Sequence, residues 1–447
     1  MKNPFIFGTP VTPRDFYGRK STVHFMMDRL YGRSRSSVAL WGDRRVGKTS
    51  LLYFLMQEDL RLDYVEELDK HHVIFIDCQI FTTNFNRHLF WLEVLEQLSE
   101  TVVSNRVIDE IERLLGVNPI KDRDIRRLLR RMHQDGETLT LLLDEFSHII
   151  WSGQLNDPQE VQAFLAFMRT ALTAVMPSSR STYPRPIALV TATRRPLNEV
   201  VQPVYGTSDI GSPFHNPFVF DRLQPFTEET VLTLLDSKLA DSPIQFTEAE
   251  RQHLLTQTGR HPILVQSYGS ELFIAKKTIA GDVVDFEPID NEFYDRSQHH
   301  FQAFWQYSSQ QEQDLLVQIL KNDFDIFETG EQNALRQLVE RGLLFPPNQF
   351  FSPLFKEWLR LNLDRLVHER EQNEPLPDGV MLLQVLDSYF SESDLNEILF
   401  EMGIDDENLP GETKRDKMRE LIRWAQLRAY IPKLVGIMKQ KRPFLKL

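Results

Sequence analysis

The sequence has one cysteine in 447 residues, Cys78, and that residue lies inside an apolar run. A disulfide framework is therefore excluded, as is a cysteine-rich metal site, and a reducing compartment such as the cytosol is expected. Long hydrophobic runs are lacking too: none approaches the ~18–20 apolar residues that cross a bilayer. The opening stretch from Met1 to Phe7 is too short in apolar character for a secretory leader, so no membrane partner is expected. Nor is there an excess of positive charge. Lys and Arg number 51 against 64 Asp and Glu, a net charge of −13, which disfavours coating of nucleic acid by bulk charge but leaves room for a local basic surface. No repeat or low-complexity tract is evident. What remains is a globular composition, 41% hydrophobic and 26% charged, at a length that suggests about three domains.

The stretch that organises the chain is Val38 to Leu52. It contains Gly42-x-x-x-x-Gly47-Lys48-Thr49, with an apolar run from Val38 to Trp41 before it and a helical pattern from Ser50 to Met56 after it. Strand, glycine-bounded loop and helix is the context in which this spacing cradles phosphates. The glycines let successive N–H groups of Arg45, Val46 and Gly47 turn inward, and the helix start adds its dipole. Ser50 follows in the first turn of that helix. Lys48 is expected to reach the β- and γ-phosphates and the Thr49 hydroxyl to ligate Mg²⁺. The cofactors are thus ATP or ADP with Mg²⁺.

A second apolar strand, Leu139 to Leu143, ends in Asp144-Glu145. Carboxylates there sit at the C-terminal edge of a strand, where open α/β sheets bind ligands. Asp144 is expected to hold Mg²⁺ through water, and Glu145 to polarise the water that attacks the γ-phosphate. His72 to Cys78, Ile187 to Thr193 and Pro217 to Phe220 read as further strands, the first two as buried parallel ones. The polar end of the middle one, Thr193-Arg194-Arg195, is placed to sense a γ-phosphate; the plainer reading is a turn with solvated arginines. Before the loop, Gly18-Arg19 lies where a nucleotide could be approached from the N-terminal side, although a leader strapped across the core explains it as well.

After Leu223 the alternation stops and helices take over. Thr247-Glu-Ala-Glu250 carries a capping-box pattern, and Pro262 fits the first turn of a helix. Residues 297–363 read as helices, a hairpin over Leu343–Ser352 and a closing helix, the order of a winged helix. Its second helix offers only Arg336 and Arg341 beside Glu331 and Glu340, which favours packing against protein over reading DNA. Residues 366–379 are polar and proline-broken and read as a linker. The last stretch, 380–447, is a small helical domain with segregated charge: acidic from Asp387 to Glu407, mainly basic from Lys414 onward. An acidic face opposite a basic one permits head-to-tail stacking.

Together Asn3-Pro-Phe, Gly18-Arg19, the Gly42–Leu52 loop and helix, and Leu-Leu-Leu-Asp144-Glu145 resemble the STAND class of AAA+-related ATPases, the signalling NTPases related to NACHT, NB-ARC and archaeal-type switches. The resemblance implies an α/β P-loop core with a parallel sheet of order 5-1-4-3-2, then an all-α lid, a winged helix and a small helical bundle. On that pattern the core is 1–225, the lid 226–290, the winged helix 291–365, the linker 366–379 and the adaptor 380–447. Thr191-Ala-Thr-Arg194 is similar to the sensor that ends the fourth strand in these switches, with Arg195 leaving one residue of ambiguity. Gly259-Arg-His-Pro262 is similar to the lid element whose proline lies against the nucleotide. The tail, especially Asn408 to Lys417 and Lys441-Arg-Pro443, resembles a bacterial effector-associated, death-like adaptor domain.

The resemblance implies an ATP-binding switch with slow hydrolysis, a homo-oligomer when ATP-bound, which recruits an effector carrying a matching helical adaptor domain in bacterial defence or regulated death. No repeat array or effector enzyme is evident, so trigger and effector are expected on other chains. Two other readings remain at this stage: a DNA-associated ATPase that uses the winged helix on duplex, and a nucleotide-stabilised scaffold that never turns over.

Overall fold

The computed structural model describes residues 2–442 apart from 82–84, 152–156, 177–184, 206–212, 279–283, 322–328, 347, 374–378, 403, 405–412 and 428–429. It divides into two compact units, Met1–Leu361 and Asn362–Leu447.

The first unit is built on five parallel strands: β1 (Ser37–Trp41), β2 (His71–Asp77), β3 (Thr138–Asp144), β4 (Ile187–Thr193) and β5 (Phe218–Arg222). Their order across the sheet is β2-β3-β4-β1-β5, the expected 5-1-4-3-2 seen from the other edge. The period of two in a strand explains why β3 and β4 are buried on both sides. Leu139, Leu141, Leu143 and Leu189 join one apolar cluster with Trp91, Phe164 and Leu197. Leu142, Val190 and Ala192 join another with Met26, Leu30, Leu51 and Leu52. Register carries the chemistry to one edge: Asp77 stands beside Asp144, and Trp41 beside Thr193 and Arg222.

Helices follow the sheet. Thr247 accepts the Glu250 N–H while the Glu250 carboxylate accepts the Thr247 N–H, so the predicted capping box opens Glu248–Thr258. Pro262–Thr278 and Phe286–Gln306 come next, the latter one unbroken helix across the 290/291 boundary expected between lid and winged helix. Gln310–Lys321 and Thr329–Glu340 precede a two-stranded hairpin, β6 (Leu344–Phe345) with β7 (Gln349–Phe350).

Where the sequence suggested a linker from 366, the helix Pro353–Asn373 continues. Val367 to Gln372 include good helix formers, and the first proline comes only at Pro375. The second unit holds four further helices, Gly379–Tyr389, Glu392–Met402, Lys414–Leu427 and Ile431–Lys441, around Leu386, Leu395, Leu399, Leu421 and Leu434. Asn408–Glu412 and Pro443, part of the adaptor resemblance, lie outside the described residues. Among the described residues no helix is long and apolar enough to cross a membrane.

Candidate nucleotide-binding site

The loop leaves β1 at Gly42, whose N–H donates to the Thr193 carbonyl of β4 at 3.2 Å. A Cβ at Gly42 would stand 2.5 Å from the backbone oxygen of Leu223, so only glycine fits between the two neighbouring strands. Arg45 (φ 65°) and Gly47 (φ 105°) both take left-handed backbone, which curls the loop before the helix Lys48–Leu55. For Gly47 that conformation is free; for Arg45 it costs roughly 1–3 kcal/mol, of the kind stored at functional sites.

Lys48 is buried and its Nζ donates to the loop's own carbonyls, Gly42 at 2.8 Å and Asp43 at 2.9 Å. Burial pulls its pKa down, opposed by Glu145, Asp144 and Asp43. Thr49 Oγ1 donates to Asp144 Oδ2 at 2.6 Å. These two oxygens are hard donors of the kind that could hold Mg²⁺ if phosphates and water completed its shell. Burial pushes the Asp144 carboxyl above its ordinary range, with the Thr49 hydrogen bond opposing. Among the described residues no cluster of three His, Cys, Asp or Glu side chains could hold a metal alone.

Glu145 also takes left-handed backbone (φ 45°), with its N–H on Asp144 Oδ1 at 3.0 Å. Its Oε2 lies 3.4 Å from Arg194 Nε, and neither atom has a hydrogen-bond partner. The Arg194 guanidinium covers the Tyr307 ring at 4.6 Å. Of the two arginines, Arg194 faces Glu145 and lines a cavity over the loop, while the Arg195 carbonyl accepts the Thr193 hydroxyl.

A cavity of about 370 Å³ opens over the loop, lined by Arg45 to Ser50, Glu145, Arg194, Arg19 and Pro262 among others. Arg19, in left-handed backbone, donates to the Val46 carbonyl at 3.2 Å and stacks on Phe226 at 4.8 Å. Burial lowers its pKa to about 10, with Asp221 opposing. Pro262 is the first residue of its helix, and its missing N–H costs nothing there. Of the residues expected at the site, Arg19, Arg45 to Ser50, Glu145, Arg194 and Pro262 line this cavity, and two of them are held by the leader. Arg45 Nη1 donates to the Gly8 carbonyl at 2.7 Å, and Ser50 Oγ accepts the Val11 N–H at 3.1 Å.

Those contacts come from the leader, which the sequence already offered as a strap across the core; what sequence reasoning missed is where it attaches. The leader is a strap whose Phe7, Thr9 and Pro10 line the cavity. Asn3 Nδ2 donates to Ser270 Oγ at 2.8 Å, the Ile6 N–H to Gln266 Oε1 at 3.1 Å, and Phe5 lies where a Cβ on Gly269 would collide with its ring at 2.5 Å. The Asn-Pro-Phe triplet was the signal, but its partner is 267 residues away.

A second unread contact reaches the loop from the far side. Arg341, its side chain only 9% exposed, donates its Nε to Asp43 Oδ2 at 3.0 Å and its Nη1 to Glu312 Oε2 and Ser308 Oγ, both at 3.0 Å. Burial alone would lower the Arg341 pKa; Asp43 and Glu312 more than offset it, so the guanidinium stays charged. Next to it, the Gly342 carbonyl lies 3.2 Å from His261 Nε2, and Phe351 fills the place of a Cβ on Gly259. His261 is kept neutral by burial, which lowers its pKa to about 4. Residues 259–262 therefore touch the hairpin unit through Gly259 and His261, and the cavity through Pro262.

Sheet order, loop and paired carboxylates define the P-loop ATPase fold, and a described family matches the end of the chain. Residues 382–443 match the family named effector-associated domain 7. Among solved structures the chain is similar to the Walker-type ATPase of Pyrococcus abyssi, with 15% identity and a TM-score of 0.53 over 80% of this chain and 99% of that one. It is also similar to the ORC2 protein of Aeropyrum pernix in its ADPNP–ADP complexes, with 11% identity and a TM-score of 0.50 over 81% and 97%. A looser likeness, with a TM-score of 0.36 and 14% identity, covers 99% of this chain and 61% of a Pyrococcus horikoshii STAND protein with a tetratricopeptide repeat sensor. No curated protein matches.

Proposed function

We propose that the chain is an ATP-binding signalling switch of the STAND kind, with slow hydrolysis as its timer. The observation that carries this reading is the convergence at one loop of three things: a phosphate cradle, a carboxylate–arginine pair, and a grip from the helix–helix–hairpin unit through Arg341 on Asp43. That unit, read as a winged helix, and the helices from Glu228 to Thr278, read as a lid, close over ADP. Lys48 would meet the β- and γ-phosphates, Thr49 and Asp144 the Mg²⁺, and Glu145 the attacking water, while Arg194 would report the γ-phosphate. Nucleotide and metal supply a phosphoryl bond poised for cleavage and a charge that only the triphosphate state adds. Moving such an equilibrium from 1:99 to 99:1 needs about 5.5 kcal/mol of differential affinity. The ATP-bound form assembles, and the tail docks a matching helical domain on an effector, in a cytoplasmic bacterial defence or cell-death response.

A duplex-binding ATPase is the weaker reading. Arg341, expected on the helix that would read DNA, follows that helix's last residue, Glu340, and is engaged in an ion cluster with Asp43 and Glu312. Lys48→Ala tests the nucleotide itself: binding of a fluorescent ADP is expected to weaken about a hundredfold, the worth of charge-assisted hydrogen bonds to phosphate. Unchanged binding would place the nucleotide elsewhere.

A further inference from the structure

Among the described residues the most exposed large apolar side chain is Phe400, at 85%. It lies on the helix Glu392–Met402, whose other face (Leu395, Ile398, Leu399, Met402) already fills the core of the small bundle. Folding thus has no use for an aromatic at 400. Around it on the outer face stand Glu392, Asn396, Glu397 and Glu401, all exposed.

A second row lies on Lys414–Leu427. Arg415, Arg419 and Arg423 follow one another at four-residue spacing on one helix face, with side chains 58%, 58% and 71% exposed. Each has an acid neighbour at the long end of ion-pair range: Asp387 at 3.7 Å, Asp416 at 3.5 Å and Glu420 at 3.8 Å. Surface pairs of that kind contribute about 0–1 kcal/mol and yield readily to better partners. The rows lie on different helices of the bundle. The Phe400 helix is tied to the last helix by Lys441, which lies 2.6 Å from Glu397 and 2.9 Å from Glu401. The arginine helix is tied to the first, where Arg415 meets Asp387.

We propose that the Phe400 face docks on the Arg415–Arg419–Arg423 row of a second copy of this chain, head to tail. This rests on reading the tail as an adaptor, and it names the two surfaces involved. Guanidinium planes stack on aromatic rings and fork onto carboxylates, so one arginine row can meet both the ring and Glu392 on the same face, while Glu397 and Glu401 already hold Lys441. Exposed aromatics and arginines are also the residue types that dominate binding energy at protein interfaces. Both halves of the match occur on one domain, which is why a second copy is the fitting partner. Because the halves are different patches, the contact is heterologous and repeats instead of closing on a two-fold axis.

The test is the solution mass of the full chain, with ADP and with a non-hydrolysable ATP analogue, for wild type, Phe400→Ala and Arg419→Glu. Wild type is expected to grow past a dimer, and each variant to lose about thirtyfold in pairing affinity. An equimolar mixture of the two variants should recover a pair and stop there, since it offers one intact face of each kind. Both side chains are exposed, so melting curves should match wild type. Assembly that ignores both substitutions overturns the docking while leaving a nucleotide-driven switch standing. Assembly that obeys them equally in ADP and the analogue keeps the docking and removes the switch. A wild-type monomer up to about 100 µM, or a mixture that fails to pair, overturns the docking outright.

Discussion

Glu145→Gln is expected to keep ATP affinity within about threefold and to lower turnover about a hundredfold or more, the usual worth of a positioned base. The side chain is held for one task. Its backbone is in the left-handed region, its N–H is fixed on Asp144, and its Oε2 has no hydrogen-bond partner. Strain of that kind persists where surrounding structure over-determines it, as at reacting groups. Glutamine has the same shape but no basic oxygen, so it would bind and not activate water. The substitution also removes the charge opposite Arg194, 3.4 Å away, and frees the guanidinium for a γ-phosphate. The stalled form should therefore populate the ATP-bound conformation. Single-turnover measurements with Lys48→Ala as the non-binding control separate the two effects. Wild-type turnover in Glu145→Gln would remove Glu145 from the chemistry.

Arg341→Ala is expected to cost about 3–5 kcal/mol of folding free energy in the first unit, because two carboxylates would be left buried without their cation. Asp43 and Glu312 both depend on it, and Glu312 also caps its own helix by accepting the Ser309 N–H at 2.7 Å. The functional consequence is tested more cleanly from the loop side. Asp43→Asn leaves the Arg341–Glu312 pair in place and weakens only the grip on the P-loop. Faster ADP release from Asp43→Asn, with melting near wild type, is the expected result. Denaturant unfolding of Arg341→Ala within about 1 kcal/mol of wild type would show that the cluster holds nothing together.

How much of this was legible in the sequence depended on sequence distance. The loop, its strand and the carboxylate pair at the end of β3 are local patterns, and β4 likewise ends just before the arginine that faces Glu145. Strand order came from the resemblance, and the sheet has it. Arg341 illustrates the opposite case. Its composition context, two arginines among glutamates, disfavoured a DNA-reading helix, yet nothing local pointed to Asp43, 298 residues away. The tail shows a subtler limit. Charge was visibly segregated along the chain, but Lys441 and Arg442 fold back onto Glu397, Glu401 and Asp394, so part of the segregation closes within one bundle. Among the described residues the arginines of Lys414–Leu427 and Phe400 remain exposed to a partner. The polar stretch after 366 misled for a simpler reason: residues that suit a linker also suit a solvated helix until a proline intervenes.

The central claim is that the γ-phosphate separates the helix–helix–hairpin unit from the P-loop. The single buried cysteine makes this directly measurable, since labels placed at Glu66→Cys and Arg336→Cys face no competing exposed thiol among the described residues. Distance distributions between the two labels, recorded with ADP and with a non-hydrolysable ATP analogue, decide it. The account predicts one short distance with ADP and a distinct longer population with the analogue; the same distribution in both nucleotides would contradict it.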